Sequence, residues 1–171
     1  HRPVIYYGIG DAPEGPIVAP GTYTVTLEVD GRAVSRKLEV RKDPNSAGTP
    51  EDVEKSSKFT LALYRDMNAA VEMINQIEWT RKQLEEFKKM LSAEKADKVL
   101  FDSRDELEKQ ALAVEDRLIQ RTLADNDQKS FRGPLRLYLQ LVWLDAEAGS
   151  GRADVSGGAD FAPTAAEIEV Y

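Results

Sequence analysis

The stretch Thr22-Tyr23-Thr24-Val25-Thr26-Leu27-Glu28-Val29-Asp30-Gly31 decides the first part of the fold. Tyr23, Val25, Leu27 and Val29 fall on one face, and Thr22, Thr24, Thr26 and Glu28 on the other. That strict alternation predicts a half-buried antiparallel strand. Asp30-Gly31 accepts the positive φ angles of a two-residue hairpin turn. On the return strand Val34, Leu38 and Val40 share a face, with Arg36 breaking it near the rim and Ser35, Lys37 and Glu39 opposite. Pro20-Gly21 opens the hairpin and Asp43-Pro44 closes it, because proline donates nothing to a ladder. Val4-Ile5-Tyr6-Tyr7 reads as a third strand and Ile17-Val18 as a short fourth. Residues 1–48 are therefore expected to form a small, partial β-sandwich module.

Everything after it reads as helix. Thr49-Pro50-Glu51-Asp52 offers a hydroxyl N-cap, a proline at the first helical position and acids facing the positive end of the dipole. No glycine or proline occurs over the 82 residues from Glu51 to Arg132. Leu63, Met67, Ala70, Ile74, Ile77, Arg81 and Leu84 recur in steps of four and three, a coiled-coil-like seam with one arginine in it. Ser92 to Asp97 is the expected place to reverse direction. Leu100, Arg104, Leu107, Ala111, Val114 and Leu118 then repeat the rhythm. The two seams predict an antiparallel helical hairpin, with Leu107 and Val114 buried against Leu63–Ile77 and Asp125-Asn126-Asp127 ending the second helix. A third helix, Leu135 to Ala146, is apolar nearly all round and is expected to be buried against the hairpin. Residues 149–160 read as a glycine-rich loop, and Thr164-Ala165-Ala166-Glu167 as the capping box of a fourth helix that the chain leaves unfinished at Tyr171.

Composition narrows the chemistry. The chain has 171 residues, no cysteine and a single histidine, His1, so disulfides, thiol nucleophiles, histidine triads and multi-histidine metal sites are excluded. At 42% hydrophobic and 31% charged it is an ordinary globular composition, with no apolar run near the ~18 residues of a membrane span. The net charge of −7 falls wholly on residues 49–171, since residues 1–48 carry six basic and six acidic side chains. No basic stripe is present to neutralise phosphates, which argues against nucleic acid and anionic membranes as partners. No charged n-region followed by an apolar h-region is present, so no signal peptide is expected in this chain.

The run Gly15-Pro16-Ile17-Val18-Ala19-Pro20-Gly21-Thr22-Tyr23 through Asp30-Gly31 resembles the C-terminal region of large secreted bacterial proteins with sortilin-like, BNR-repeat β-propellers, often labelled glycosyl hydrolases. Asp43-Pro44, Leu63-Tyr64-Arg65-Asp66, Arg81-Lys82-Gln83-Leu84 and Pro163-Thr164-Ala165-Ala166 follow in the family's order and at similar spacing. The resemblance covers roughly residues 15–171 and implies an immunoglobulin-like module, a propeller upstream of it and a secreted or periplasmic location. Val4-Ile5-Tyr6-Tyr7 lacks the family's Trp-Asp strand, and no Asp-box repeat is present, so the label's glycosidase activity does not carry over to this chain. The expected fold class is α+β: a small antiparallel immunoglobulin-like β-module (1–48) followed by a long antiparallel helical hairpin and bundle (49–171).

Candidate sites are few. Gly8-Ile9-Gly10 lacks the third glycine and following helix of a dinucleotide loop, and reads as a turn. Asp125-Asn126-Asp127 has Ser130 and Arg136 where a calcium loop needs glycine and glutamate. Glu85-Glu86, Asp105-Glu106 and Glu115-Asp116 are adjacent on helices and point to different faces, so none shares a proton or a sugar ring. Arg81 and Arg104 either bind an anion or, as we expect, pair with acids across the hairpin. Tyr6, Tyr7 and Tyr23 read as core or edge residues of the sheet rather than as a sugar platform. The sequence thus predicts no catalytic, cofactor or metal residue. It predicts a structural or interaction region that contacts the upstream propeller or another protein through Ile5, Tyr6, Tyr7, Ile9, Ile17 and Val18, with self-association as a further outcome. A carbohydrate-binding module using the sheet aromatics and an accessory subunit of a larger complex are the other readings.

Overall fold

A computed structural model describes residues 15–93, 97–121, 133–148 and 160–171. They form an α+β chain in the order β1 (Gly21–Val29), β2 (Arg32–Val40), α1 (Pro50–Ala93), α2 (Lys98–Leu118), α3 (Leu137–Glu147) and α4 (Ala165–Val170). Among the described residues there are two compact units: 15–64 with 143–148 and 160–171, and 65–93 with 97–121 and 133–142. The division falls within the unbroken helix α1.

In the first unit β1 and β2 pair antiparallel, with Tyr23 opposite Leu38, Val25 opposite Arg36, Leu27 opposite Val34 and Val29 opposite Arg32. Asp30 (φ 49°) and Gly31 (φ 74°) make the turn, both in the left-handed region that lets a two-residue loop match strand twist. The face assignments read from the sequence hold in this register. The expected half-burial does not: every residue from Gly21 to Glu39 is exposed. Two strands have no second layer of their own, and nothing among the described residues covers either face. Ile17-Val18 is not a fourth strand; both residues are exposed coil. The expected strand Val4–Tyr7 lies outside the described residues.

Past β2, Asp43 makes an Asx turn, its Oδ1 accepting from Asn45 N at 2.8 Å, and Lys42 Nζ donates to Ser46 O at 2.7 Å. Gly48 is buried against the Asp160 carbonyl, where a Cβ would collide with the oxygen. Thr49 then caps α1 reciprocally: Thr49 Oγ1 accepts from Asp52 N at 3.1 Å, and Asp52 Oδ2 accepts from Thr49 N at 3.1 Å. Val53, Ser56, Thr60 and Leu63 are buried along the start of the helix, and Thr60 Oγ1 bonds back to Ser56 O at 3.0 Å. Thr164 and Glu167 form the capping box read from the sequence, opening α4. Tyr171 meets Phe59 edge to face at 5.4 Å.

In the second unit Met67, Ala70 and Ile74 are buried at the seam spacing expected of α1. On α2 the seam differs from expectation. Leu107 and Val114 are about half exposed (46% and 49%), whereas Arg104, Glu115 and Leu118 are buried. Arg104, Glu108, Ala111, Glu115 and Leu118 also step by four, three, four and three, a second rhythm that shares Arg104, Ala111 and Leu118 with the expected seam and puts Glu108 and Glu115 where it had Leu107 and Val114. That one won because the arginines of the seam need carboxylates opposite them. Asp97 caps α2, its side chain accepting from Val99 N. Helix α2 also ends earlier than expected, at Leu118, where Ile119 turns extended and lets Arg121 reach back to Asp116. Asp125-Asn126-Asp127 and the glycine-rich residues 149–159 lie outside the described residues. Helix α3 begins in this unit and continues into the first; it buries Tyr138, Leu139, Leu141 and Leu144 but leaves Leu137 and Trp143 exposed, so it is sided rather than apolar throughout.

Candidate functional site

The densest chemistry lies where α1 and α2 meet. Arg81 donates from Nε to Glu108 Oε1 at 3.0 Å and from Nη1 to Glu115 Oε2 at 2.7 Å. Arg104, buried on α2, donates from Nε to the Leu84 carbonyl at 3.1 Å and from Nη1 to Asp105 Oδ1 at 2.8 Å. Its Nη2 lies 3.4 Å from Glu85 Oε2 and 3.7 Å from Glu108 Oε2. Arg121 grips Asp116 with two bonds, 2.6 and 2.9 Å, and stands 3.9 Å from Glu115 Oε2. Charges alternate along the row: Arg104, Glu108, Arg81, Glu115, Arg121, Asp116. The Arg121 hydrogen bonds hold Asp116 below the usual carboxylate range and raise Arg121 in return.

Glu115 sits at the centre of this row with no exposed surface. Its Oε1, like Glu108 Oε2 and Asn75 Oδ1, is buried without a hydrogen-bond donor. Buried carboxylates are tolerated where cations face them, and here Arg81 and Arg121 do. Both seam arginines flagged by sequence pair with carboxylates across the two helices, as expected, and Arg104 also donates to the Leu84 carbonyl. Glu108 and Arg121 were not singled out from sequence, and Glu115 was considered only as the neighbour of Asp116. The signal was present, since an arginine on each helix seam demands acids on the facing one, and Glu108 and Glu115 are seven residues apart.

A cleft of about 470 Å³ runs beside this row, lined by Asn75, Glu78, Trp79, Lys82 and Glu85 with Arg81 and Glu108. Trp79 is half exposed, and Lys82 Nζ lies 5.0 Å from its ring centre. Of the cleft carboxylates, Glu108 faces Arg81 and Glu85 faces Arg104. Among the described residues no cluster of three metal-ligating side chains occurs, and no helix is long and apolar enough to cross a membrane. These ion pairs link side chains of α1 to side chains of α2.

The second candidate is the uncovered face of the β1–β2 hairpin. Val25 (52%), Leu27 (65%), Val29 and Val34 (56% and 55%) and Leu38 form one apolar strip, with Arg32 and Arg36 set into it. Among the expected contact residues, Ile17 and Val18 are exposed immediately before the hairpin. Ile5, Tyr6, Tyr7 and Ile9 lie outside the described residues. Tyr23, the one aromatic of the described sheet, donates its hydroxyl to the Ala19 carbonyl at 2.5 Å. No known protein family, no curated protein and no solved structure matches the chain.

Proposed function

We propose that this chain is a non-catalytic structural and interaction region of a larger secreted propeller protein. In this reading the β1–β2 hairpin belongs to an immunoglobulin-like module, α1 and α2 form an antiparallel helical hairpin, and the module packs on the propeller or on another protein. The observation that carries it is the apolar strip Val25–Leu27–Val29–Val34–Leu38, exposed over more than half of each side chain. Apolar patches of more than a few hundred Å² on a soluble chain mark contact sites. Two further points support it. Arg81, whose contacts lie at Glu108 and Glu115, precedes Leu84 and Glu85, which meet the earlier Arg104, so the helices run in opposite senses. The motif order from Gly15 to Ala166 supports the propeller parent.

The experiment is a binding titration between the 171-residue chain and the separately produced region encoded upstream of it. We expect a complex in the micromolar range that Val25→Ser with Leu27→Ser weakens at least tenfold, with helical circular dichroism unchanged. No complex at tens of micromolar, or hydrolysis of glycans or esters above background by the isolated chain, refutes the reading.

A further inference from the structure

We infer that the surface meeting the β1–β2 face is an apolar protein face studded with carboxylates, and not a second copy of this chain. The inference rests on the interaction reading above and adds the chemistry of the partner. Residues directly opposite in an antiparallel pair share a face. Arg32 stands beside Val29 and Arg36 beside Val25, so two guanidiniums sit on alternate rungs of the apolar strip. They lie four positions apart on the strand, about 13 Å at 3.3 Å per residue.

Neither arginine has a carboxylate partner among the described residues. Arg36 Nη1 donates to the Ser35 carbonyl at 3.0 Å, and Arg32 makes no ion pair. Of the hairpin's own acids, Asp30 sits in the turn and makes no ion pair with either arginine among the described residues. Glu28 and Glu39 lie on the opposite face, opposite Ala33 and Thr22, and Glu39 is held by Arg41 at 2.8 Å. Covering the strip removes water from both guanidiniums, which is strongly unfavourable unless acceptors of opposite charge replace it. Guanidinium meets carboxylate in a two-bond fork, so acids about four residues apart on one face of a partner strand fit this spacing. Face-to-face pairing of two identical copies brings four arginines together with no acid between them. Electrostatic repulsion of that kind is how an interface rejects a wrong partner.

The chain itself supplies the test. The variant Arg32→Glu with Arg36→Glu presents the proposed partner surface: the same apolar strip, with carboxylates at the same spacing. Sedimentation velocity is run on the wild-type chain alone, the variant alone and a one-to-one mixture at tens of micromolar, with circular dichroism as the folding control. We expect the mixture to form heterodimers at least tenfold tighter than either chain alone, and to lose them in ~0.5 M salt, where the Debye length falls to a few Å. Arg32→Gln with Arg36→Gln, which keeps shape and loses charge, should not pair with the glutamate variant. A mixture that sediments as the sum of its components, or a wild-type chain that dimerises as tightly as the mixture, overturns the inference. The upstream region separates this from the broader reading. Its binding, undiminished by Arg32→Glu with Arg36→Glu, sinks the charge inference alone; its failure to bind the wild type sinks the interaction reading, while the mixture still decides the charge inference.

Discussion

Replacing Arg81 by leucine tests the ionic seam directly. Arg81 is mostly buried, with 28% of its side chain exposed, and it supplies the closest cation to Glu115, which has no exposure at all. Arg81→Leu leaves the Glu115 carboxylate buried without its closest cation, with Oε1 already lacking a donor and Arg121 3.9 Å from Oε2. Breaking a buried pair from one side costs about 3–5 kcal/mol. Residual attraction to Arg121 brings the expectation down to about 2–4 kcal/mol, a large share of a small domain's stability. The double variant Arg81→Leu with Glu115→Leu removes both charges and fills the space, so it should lose far less than the sum of its parts. The cycle should give a coupling of about 1–3 kcal/mol. Urea titrations followed by the fluorescence of Trp79 and Trp143 and by circular dichroism read all four proteins. A loss below about 0.5 kcal/mol for Arg81→Leu, or strict additivity in the cycle, refutes the claim that this pair holds the two helices together.

Leu63→Ala should lose about 2–5 kcal/mol, because Leu63 is completely buried, while Leu107→Ala should stay within about 0.5 kcal/mol; denaturant midpoints decide both. Gly48→Ala pushes a Cβ into the Asp160 carbonyl and should lower stability by about 1–3 kcal/mol, against no change for Gly15→Ala, which meets nothing. Asp116 titrates below the ordinary ~3.9 of a free aspartate because Arg121 bonds to its charged form. Its contribution is therefore complete above that value and fades as pH falls through the folded-state pKa. Carboxyl NMR should show the Asp116 midpoint rising towards ~3.9 in Arg121→Ala, and an unmoved midpoint contradicts the assigned cause.

The hairpin was legible because two local rules agree on it. Period-two alternation placed Tyr23, Val25 and Leu27 on one face, and Asp30-Gly31 is among the few dipeptides that accept the turn. Helix starts were legible for the same reason: Thr49 and Thr164 carry their caps in the sequence. The facing of α2 was not. Leu100, Leu107 and Val114 on one side, and Glu108 and Glu115 on the other, give two rhythms of equal period one residue apart. Hydrophobicity alone selects the first. The second becomes favourable only once Arg81 is known to face it, which is a contact between residues 27 and 34 positions apart. Burial of the sheet was misread because alternation reports what a face is suited to meet, whether or not the described chain supplies it. Glu108 and Arg121 escaped notice because each reads singly as a solvated helix charge, and Glu115 was weighed only against its neighbour Asp116 rather than against Arg81.

Arg81 bridging Glu108 and Glu115 works as a vernier on the alignment of the two helices. A seven-residue repeat is degenerate under a slip of seven, and apolar seams alone offer a folding chain several nearly equal alignments. Slide α2 by seven in one direction and Arg81 faces Phe101 and Glu108; in the other it faces Glu115 and Thr122. Either slip forfeits one of the two carboxylates that Arg81 needs. The same slip replaces Arg104 with Asp97 or Ala111, neither of which has a donor for the Leu84 carbonyl. Off-register pairings are thereby raised in energy before they can accumulate. The signature is kinetic rather than structural: without the vernier, refolding should become slow and multiphasic while the final helix content is unchanged.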